Sequence, residues 1–171
     1  MKTPGVFLTT QKDAGGLFKV AIALGSNLGD RQAHLDWAVQ QLGDLLQHLR
    51  ASPFVDTAPH DVPGPQPRYL NGVVVGETRL GPADLLDRLL ALERARGRRR
   101  SSVRAPRTLD LDLILYGDLV RETPRLTVPH PRFRERPFVL EPLAVLAPDW
   151  IDPETGRRMS ELASEADERM K

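Results

Sequence analysis

Two aspartates separated by one leucine, Asp110 and Asp112, are the residues of this sequence best suited to chemistry. They lie in the segment 104–116, which is entered through a proline and is rich in leucine and isoleucine, as expected of a β-strand. Side chains alternate along a strand, so both carboxylates project from one face while the leucines at 109, 111, 113 and 115 project from the other. Neighbouring carboxylates repel each other. Mg²⁺ would stabilise the pair, because it binds one or two protein carboxylates and fills its other positions with water and phosphate oxygens.

A run of arginines precedes this pair. Guanidinium groups bind phosphate in a bidentate manner and stay protonated, so the run and the pair together predict a magnesium–polyphosphate site and phosphoryl-type transfer. Each signal also has a structural alternative. An Asp-x-Asp pair is about as often a solvated face of an antiparallel sheet, and an arginine run is more often a solvated loop. The arginines are Arg94, Arg96, Arg98, Arg99, Arg100, Arg104 and Arg107.

Length and composition favour one globular domain. The chain has 171 residues, of which 40% are hydrophobic and 27% charged, and it has no cysteine, which excludes disulfides and thiolate sites. It contains no apolar run of membrane-spanning length and no secretory signal pattern, so we expect a cytoplasmic protein without a membrane partner. The net charge is only +1, yet the segment 94–136 carries twelve arginines against five acidic residues. A local basic region suits a small anionic ligand better than long nucleic acid.

The order of the predicted elements is β-α-β-β-α-β. Strands are expected at 19–24, 50–56, 69–79 and 104–116, with one helix capped by Asp30 that carries an apolar stripe from Leu35 to Leu49, and another opened by Pro82. This order predicts an α+β fold with a ferredoxin-like core, an antiparallel sheet and a C-terminal extension. Residues 1–18 show no periodicity, so we expect a loose N-terminal extension before a single domain over 19–171.

Further candidate residues flank the predicted strands. Tyr69 and Asn71 share a strand face and could offer an aromatic platform beside an amide, although a cross-strand aromatic pair and a turn asparagine are at least as probable on spacing alone. His130 would usually be structural, but three arginines follow it at 132, 134 and 136, and beside them it could donate to a phosphate. The proline-rich segment 57–68 is long for a compact domain, and such loops are often functional.

Four stretches together carry a family resemblance: ALGSNLG at 23–29, YLN at 69–71, PRTLDLDL at 106–113 and LTVPH at 126–130. With these in this order, the chain resembles the 6-hydroxymethyl-7,8-dihydropterin pyrophosphokinase family over roughly residues 19–150. The resemblance implies transfer of the β,γ-diphosphoryl group of ATP to the pterin hydroxymethyl oxygen, with release of AMP, in folate biosynthesis. It also implies two Mg²⁺ ions, with ATP and the dihydropterin as partners. We further expect no nucleic-acid partner and a monomer.

The resemblance assigns roles to individual positions. It implies metal binding by Asp110 and Asp112, and catalytic roles for this pair together with Arg98, Arg100 and Arg107. The implied ATP-binding residues are Glu93, Arg98, Arg100, Leu113, Arg125, Thr127, His130 and Arg136. The implied pterin-binding residues are Thr57, Pro59, Tyr69, Asn71 and Phe138. The sequence departs from the family pattern between Glu93 and Arg107, where it is about one residue short and lacks a tryptophan found in some members.

Two other classes of protein share this element order. An RNA-binding module would need aromatic residues on the central strands for base stacking, where this chain has carboxylates and valines. An inactive nucleotide-binding relative would keep the fold as an interaction module, and the intact aspartate pair argues against it.

Overall fold

The computed structural model describes residues 16–59, 66–97 and 108–169, and the backbone of residues 6–7. None of the described helices is long and apolar enough to cross a membrane. In chain order the elements are β1 (Val6–Phe7), β2 (Phe18–Ser26), α1 (Arg31–Leu42), β3 (Gln47–Ala51), β4 (Val55–Thr57), β5 (Tyr69–Thr78), α2 (Pro82–Ala95), β6 (Asp110–Tyr116), β7 (Val120–Glu122), β8 (Thr127–Val128), α3 (Pro137–Leu146) and α4 (Met159–Arg169).

The main sheet has the order β3-β5-β2-β6, and β4 also pairs with β5. Every pairing in it is antiparallel. Each helix crossover therefore leaves one strand between the two that it connects, as in two interlocked β-α-β units. The predicted ferredoxin-like α+β core is confirmed.

Helices cover both faces of this sheet. On one face, β2 contributes Val20, Ile22 and Leu24 to a core that it shares with α1 and α2. On the other face, Val73 and Val75 of β5 pack against α3 and α4, which form the C-terminal extension. The second layer covers only part of its face, and this leaves room for a site at the ends of the strands.

The face assignment predicted for the last core strand is correct up to Leu113 and wrong for Leu115. Ala21 pairs with Leu115 while the next residue of β2, Ile22, pairs with Leu113, so Ile114 is an extra residue in β6. This bulge reverses the alternation, because one inserted residue turns every later side chain to the opposite face. Leu113 accordingly packs in the α1/α2 core, and Leu115 packs in the α3/α4 core.

Two other predicted boundaries are corrected by the structure. The helix with the apolar stripe ends at Leu42, and Leu46 and Leu49 reach the same core from the segment beyond it. The predicted strand 50–56 is two strands separated by Ser52–Phe54, where the hydroxyl of Ser52 accepts a hydrogen bond from the Val73 amide at 2.9 Å. The predicted cap is confirmed: Asp30 accepts from the Ala33 amide at 3.0 Å.

Part of the segment predicted as an N-terminal extension is ordered against the domain. Val6 and Phe7 pair with Arg121 and Val120 in a small second sheet, which β8 completes. Leu17 and Phe18 are buried, and β2 begins one residue earlier than predicted.

Candidate functional site

The two aspartates lie on the open part of the sheet face that α3 and α4 partly cover. Asp110 pairs with Gly25 and Asp112 with Ala23 of the neighbouring strand β2, and both side chains are half-buried. Residues two apart on a strand are separated by about 7 Å, so the carboxylates are neighbours on this face. Gly25 and Ala23 are small, and they leave space above the sheet beside the pair.

The same row of the sheet continues to a buried amide. Gly25 pairs with Asp110 on one side and with Asn71 of β5 on the other. Strands lie about 4.8 Å apart, so Asp110 and Asn71 are roughly 10 Å apart across β2. A phosphate chain bound at the aspartates and a flat heterocycle bound near Asn71 would therefore meet above β2.

The carboxylate pair fits a metal–nucleotide complex better than an all-protein metal cage. Among the described residues, no group of three or more histidine, cysteine, aspartate and glutamate side chains could enclose an ion. Mg²⁺ is usually held by one or two carboxylates together with water and substrate phosphates, so two aspartates at an open strand end meet its requirements.

His130 lies beside the aspartate strand. Its backbone amide donates to the carbonyl of Ile114, the bulged residue of β6, at 2.9 Å. Its Nδ1 accepts from the Arg132 amide at 3.1 Å, so the imidazole proton is assigned to Nε2. Burial, then the charge of Arg136, lowers the pKa of His130 to about 4, and Asp110 opposes this shift. At pH 7 His130 is therefore a neutral group that can donate from Nε2.

We expect His130 to titrate far below the ordinary range for histidine. An NMR titration of the ligand-free protein should give a midpoint of about 4 for this imidazole, against 6.5 for an ordinary histidine. The unfolded chain binds the proton first, so His130 makes the free energy of unfolding fall as the pH drops from 6.5 towards 4. Substituting Arg136→Met should raise the midpoint, since the second cause of the shift is removed. A midpoint at or above 6.5 in the unmodified protein would contradict this environment.

The opposite end of the row is a group of polar side chains on β4 and β5, which we call the polar pocket. The side-chain amide of Asn71 donates to the Thr57 hydroxyl at 2.5 Å, and Asn71 is only 7% exposed. A Cβ added at Gly25 would lie 3.1 Å from Oδ1 of Asn71 and 3.7 Å from the Tyr69 ring. The absent side chain of Gly25 thus leaves room for the Asn71 oxygen and the Tyr69 ring to lie side by side above this position.

We expect Gly25→Ala to weaken pterin binding about tenfold. The added methyl group would displace the Asn71 amide, and leaving a buried polar group without its hydrogen bond costs about 1–3 kcal/mol, where 1.4 kcal/mol is a factor of ten in affinity. Fluorescence titration with the dihydropterin measures the effect. Gly81→Ala is the matched control, because a Cβ at Gly81 would have no atom within 4 Å. Equal affinities for both variants would show that Gly25 does not border the pocket.

The start of α3 brings two more predicted residues to this face. Arg136 precedes the helix, and Phe138 lies in its first turn, half-buried against the α3/α4 core. The Arg136 guanidinium carbon lies 5.9 Å from the centre of the Phe138 ring. Proline at the first helical position, Pro137, fixes the backbone at which this helix begins.

The remaining predicted residues do not all lie on this face of the sheet. Glu93 is buried in α2, where its Oε2 accepts from the Leu111 amide at 3.0 Å, directly between the two aspartates. The side chain of Leu113 packs in the α1/α2 core, on the face opposite the carboxylates. Arg125 is exposed and paired with Asp87 of α2. Thr127 and Pro59 are half-buried. Arg98, Arg100 and Arg107 lie outside the described residues.

Sequence reasoning missed one group of charged residues next to the pocket. Arg31 of α1 and Arg68 both donate to Asp56 of β4, the Arg31 bond being 3.0 Å long, and Arg31 also donates to the Arg68 carbonyl at 3.0 Å. Hydrogen bonds from Arg68 and then Arg31 lower the pKa of Asp56. The three residues tie α1 to the strands that carry Thr57 and Tyr69. They are scattered along the chain, so no local pattern could have indicated them.

Comparison with known proteins gives the family of this fold and site. The model of the 7,8-dihydro-6-hydroxymethylpterin-pyrophosphokinase family matches residues 21–148. A 2-amino-4-hydroxy-6-hydroxymethyldihydropteridine pyrophosphokinase from a Synechocystis strain is 43% identical, over 85% of this chain and 75% of the relative. The enzyme of the same name from Pseudomonas aeruginosa is 42% identical, over 84% of this chain and 89% of the relative.

The structural neighbours support the fold alone. A Plasmodium falciparum HPPK-DHPS structure aligns with a TM-score of 0.72 over 91% of this chain and 44% of that chain, at 12% identity. A ferredoxin-like sheet with a carboxylate pair at its open edge is the architecture that the described residues define. The chain belongs to the 7,8-dihydro-6-hydroxymethylpterin-pyrophosphokinase family. The predicted resemblance is confirmed, and the chain is an enzyme, a pyrophosphokinase.

Proposed function

We propose that this chain transfers the β,γ-diphosphoryl group of ATP to the hydroxymethyl oxygen of 6-hydroxymethyl-7,8-dihydropterin, using Mg²⁺ held by Asp110 and Asp112. One observation carries the assignment of the site. Asp110, Gly25 and Asn71 form a single row across three strands, so a carboxylate pair and a polar pocket lie about 10 Å apart on one open face. The phosphate chain of ATP occupies the aspartate end, and the pterin occupies the Asn71 end.

The pterin end supplies orientation. The Asn71 oxygen accepts from an N–H group of the ring, and the bond from Asn71 to Thr57 fixes the amide in the orientation that this requires. The rings of Tyr69 and Phe138 enclose the flat heterocycle, and Pro59 lies in the segment that follows Thr57. This arrangement directs the hydroxymethyl group of the substrate towards the aspartate end of the row.

The reaction exchanges one phosphorus–oxygen bond for another. The hydroxymethyl oxygen attacks the β-phosphorus of ATP and loses its proton, while the bond between the β-phosphorus and the oxygen bridging to the α-phosphorus breaks, so that AMP leaves. Mg²⁺ bound at the carboxylate pair, proposed as two ions, supplies charge neutralisation and in-line alignment of the phosphates. His130 donates from Nε2 to a phosphate oxygen, and Arg136 adds positive charge beside it.

Further residues act at the ATP end of the row. Arg98, Arg100 and Arg107 act on the triphosphate, and Arg125 exchanges its partner Asp87 for the nucleotide. Thr127 borders the nucleotide. Glu93 acts through the Leu111 amide. Leu113, whose side chain faces the core, contributes through its backbone. We further propose that the enzyme acts as a monomer, in the cytoplasm where ATP is available.

Nucleotide product analysis tests this function. Purified protein is incubated with Mg²⁺, ATP and 6-hydroxymethyl-7,8-dihydropterin, and the nucleotides are separated with time. AMP formed only in the presence of the pterin, in equal amount to a pterin diphosphate, is the expected result. ADP would indicate transfer of a single phosphoryl group and contradict the proposal. Nucleotide binding without turnover would instead support an inactive nucleotide-binding module.

A further inference from the structure

The last turn of α2 holds the aspartate strand from its outer edge. β6 is the last strand of the main sheet, so on its outer side it has no strand partner among the residues that the structure describes. Two hydrogen bonds reach that side from the end of α2 and from Arg96, the residue that follows it. Glu93 accepts from the Leu111 amide at 3.0 Å, and the Arg96 carbonyl accepts from the Thr108 hydroxyl at 2.8 Å. Asp110 lies in the chain between Thr108 and Leu111, the two residues that these hydrogen bonds hold.

The side chain of Arg96 is itself fixed by α1. Its Nε donates to Nδ1 of His34 at 2.9 Å, and its guanidinium carbon lies 5.0 Å from the centre of the Trp37 ring. His34 and Trp37 are three residues apart in α1 and therefore lie on one side of the helix. Arg96 thus joins α1, the end of α2 and the residue two positions before Asp110.

The bond to Arg96 requires an unprotonated Nδ1 on His34. Among the described residues, the charged groups that face this imidazole are Arg96, which follows α2, and Asp30, which caps α1. Burial, then Arg96, lowers the pKa of His34, while Asp30 and a hydrogen bond with the Leu28 backbone oppose the shift. His34 is therefore neutral near pH 7, and its Nδ1 accepts the hydrogen bond from Nε of Arg96, with its own proton on Nε2.

We propose that Arg96 is a positioning residue for the carboxylate pair: held by His34 and Trp37, it anchors Thr108 and so sets the position at which β6 begins. The inference rests on the proposed role of Asp110 and Asp112 as metal ligands. Two like charges at the end of an edge strand repel each other, and that end must stay in place before the metal–nucleotide complex binds. If the anchor is lost, binding has to order the strand end, and that ordering lowers the affinity.

Two substitutions test the contact between Arg96 and His34, which we call the anchor, one at each of its partners. Arg96→Met keeps the aliphatic stem and removes the donor, and His34→Phe keeps a ring and removes the acceptor. Arg88→Met is the matched control, since Arg88 is an exposed arginine of the same helix and lies outside the arginine run. The probe is Mn²⁺ with αβ-methylene-ATP, whose α–β bridge cannot be cleaved. Binding is measured by calorimetry and by the electron paramagnetic resonance signal of Mn²⁺.

Both anchor variants should bind this complex about tenfold more weakly, in the range found for residues that orient metal ligands. The double variant should be no weaker than the weaker single variant, because both changes break the same bond. The affinity of the two anchor variants for the dihydropterin, and the affinity of Arg88→Met for the Mn²⁺–nucleotide complex, should stay within twofold of the unmodified protein. A general loss of structure would reduce pterin binding as well, so the two affinities separate positioning from folding.

Unchanged Mn²⁺–nucleotide affinity in either anchor variant that remains folded would overturn the inference. Equal losses of nucleotide and pterin affinity would overturn it too, since they would indicate a general structural role. A different result would contradict the proposed function: the unmodified protein would bind the Mn²⁺–nucleotide complex but form no AMP with ATP and pterin. The binding comparison then still decides whether Arg96 positions the pair.

Discussion

Substituting either Asp110→Asn or Asp112→Asn is expected to lower the rate of pterin-dependent AMP formation by about three orders of magnitude. A metal ion that stabilises charge on a transferring phosphoryl group contributes several kcal/mol, and each 1.36 kcal/mol is a factor of ten in rate. Asparagine keeps the shape of the side chain and removes the charge that binds the cation. The loss should persist at saturating Mg²⁺ and ATP.

The same substitutions should leave the fold intact. The two carboxylates share one half-buried strand face, so removing one charge relieves their repulsion in the ligand-free protein. We therefore expect the free energy of unfolding in urea to be unchanged or slightly higher. Asp149→Asn, an exposed position outside the sheet, provides the matched change in charge. A near-normal rate for either strand variant would exclude that aspartate as a metal ligand.

The largest effect on stability is expected for Asp152→Ala. Asp152 is fully buried, and it accepts from Nε and Nη2 of Arg134 at 2.6 and 2.8 Å and from the Thr155 hydroxyl at 2.8 Å. Burial opposes its ionisation, but the hydrogen bonds from Arg134 and Thr155 outweigh it, so the pKa of Asp152 lies below its usual range. Removing one partner of a buried ion pair costs about 3–5 kcal/mol, because the other charge is left uncompensated.

The ion pair between Asp152 and Arg134 also fixes the segment between His130 and α3. Arg134 belongs to the short 3-10 turn Phe133–Glu135, so its loss of a partner should also displace Arg136 and weaken nucleotide binding. Urea unfolding followed by circular dichroism measures the stability. Glu154→Ala is the control: Glu154 lies 3.8 Å from the same guanidinium but is 42% exposed, and an exposed pair is worth at most about 1 kcal/mol. Similar losses for the two variants would contradict the role assigned to the buried pair.

Much of the fold could be predicted because its signals are local. The β-α-β-β-α-β order, the Asp30 cap and proline at the start of α2 depend on neighbouring residues and are confirmed. The errors occur where tertiary contacts decide. The bulge at Ile114 has no composition signal. Leu46 and Leu49 continue the helical spacing of α1, although they reach the core from beyond its end.

The break between β3 and β4 has the same kind of cause. Gly72 leaves the space in which Phe54 packs, since a Cβ there would lie 2.6 Å from the Phe54 ring. A sequence shows a glycine and a phenylalanine but not that one fills the space left by the other.

The candidate site was accessible from sequence for residues close together in the chain, as with Asp110 and Asp112. It was less accessible for pairs far apart, such as Arg96 with His34 or Arg134 with Asp152, whose partners are 62 and 18 residues away. Hydrogen bonds at these separations depend on the packing of several elements. Glu93 illustrates the difference, because its carboxylate accepts from the amide of Leu111, which lies 18 residues further along the chain.

Crystals of the enzyme with Mn²⁺, αβ-methylene-ATP and 6-hydroxymethyl-7,8-dihydropterin would test the central claim most directly. The account predicts two anomalous manganese peaks, each within about 2.5 Å of a carboxylate oxygen of Asp110 or Asp112. It also predicts the pterin ring between Tyr69 and Phe138, with Asn71 accepting from it. Manganese bound only to the phosphates, with both aspartates turned away, would contradict the account, as would a pterin ring bound elsewhere on the protein.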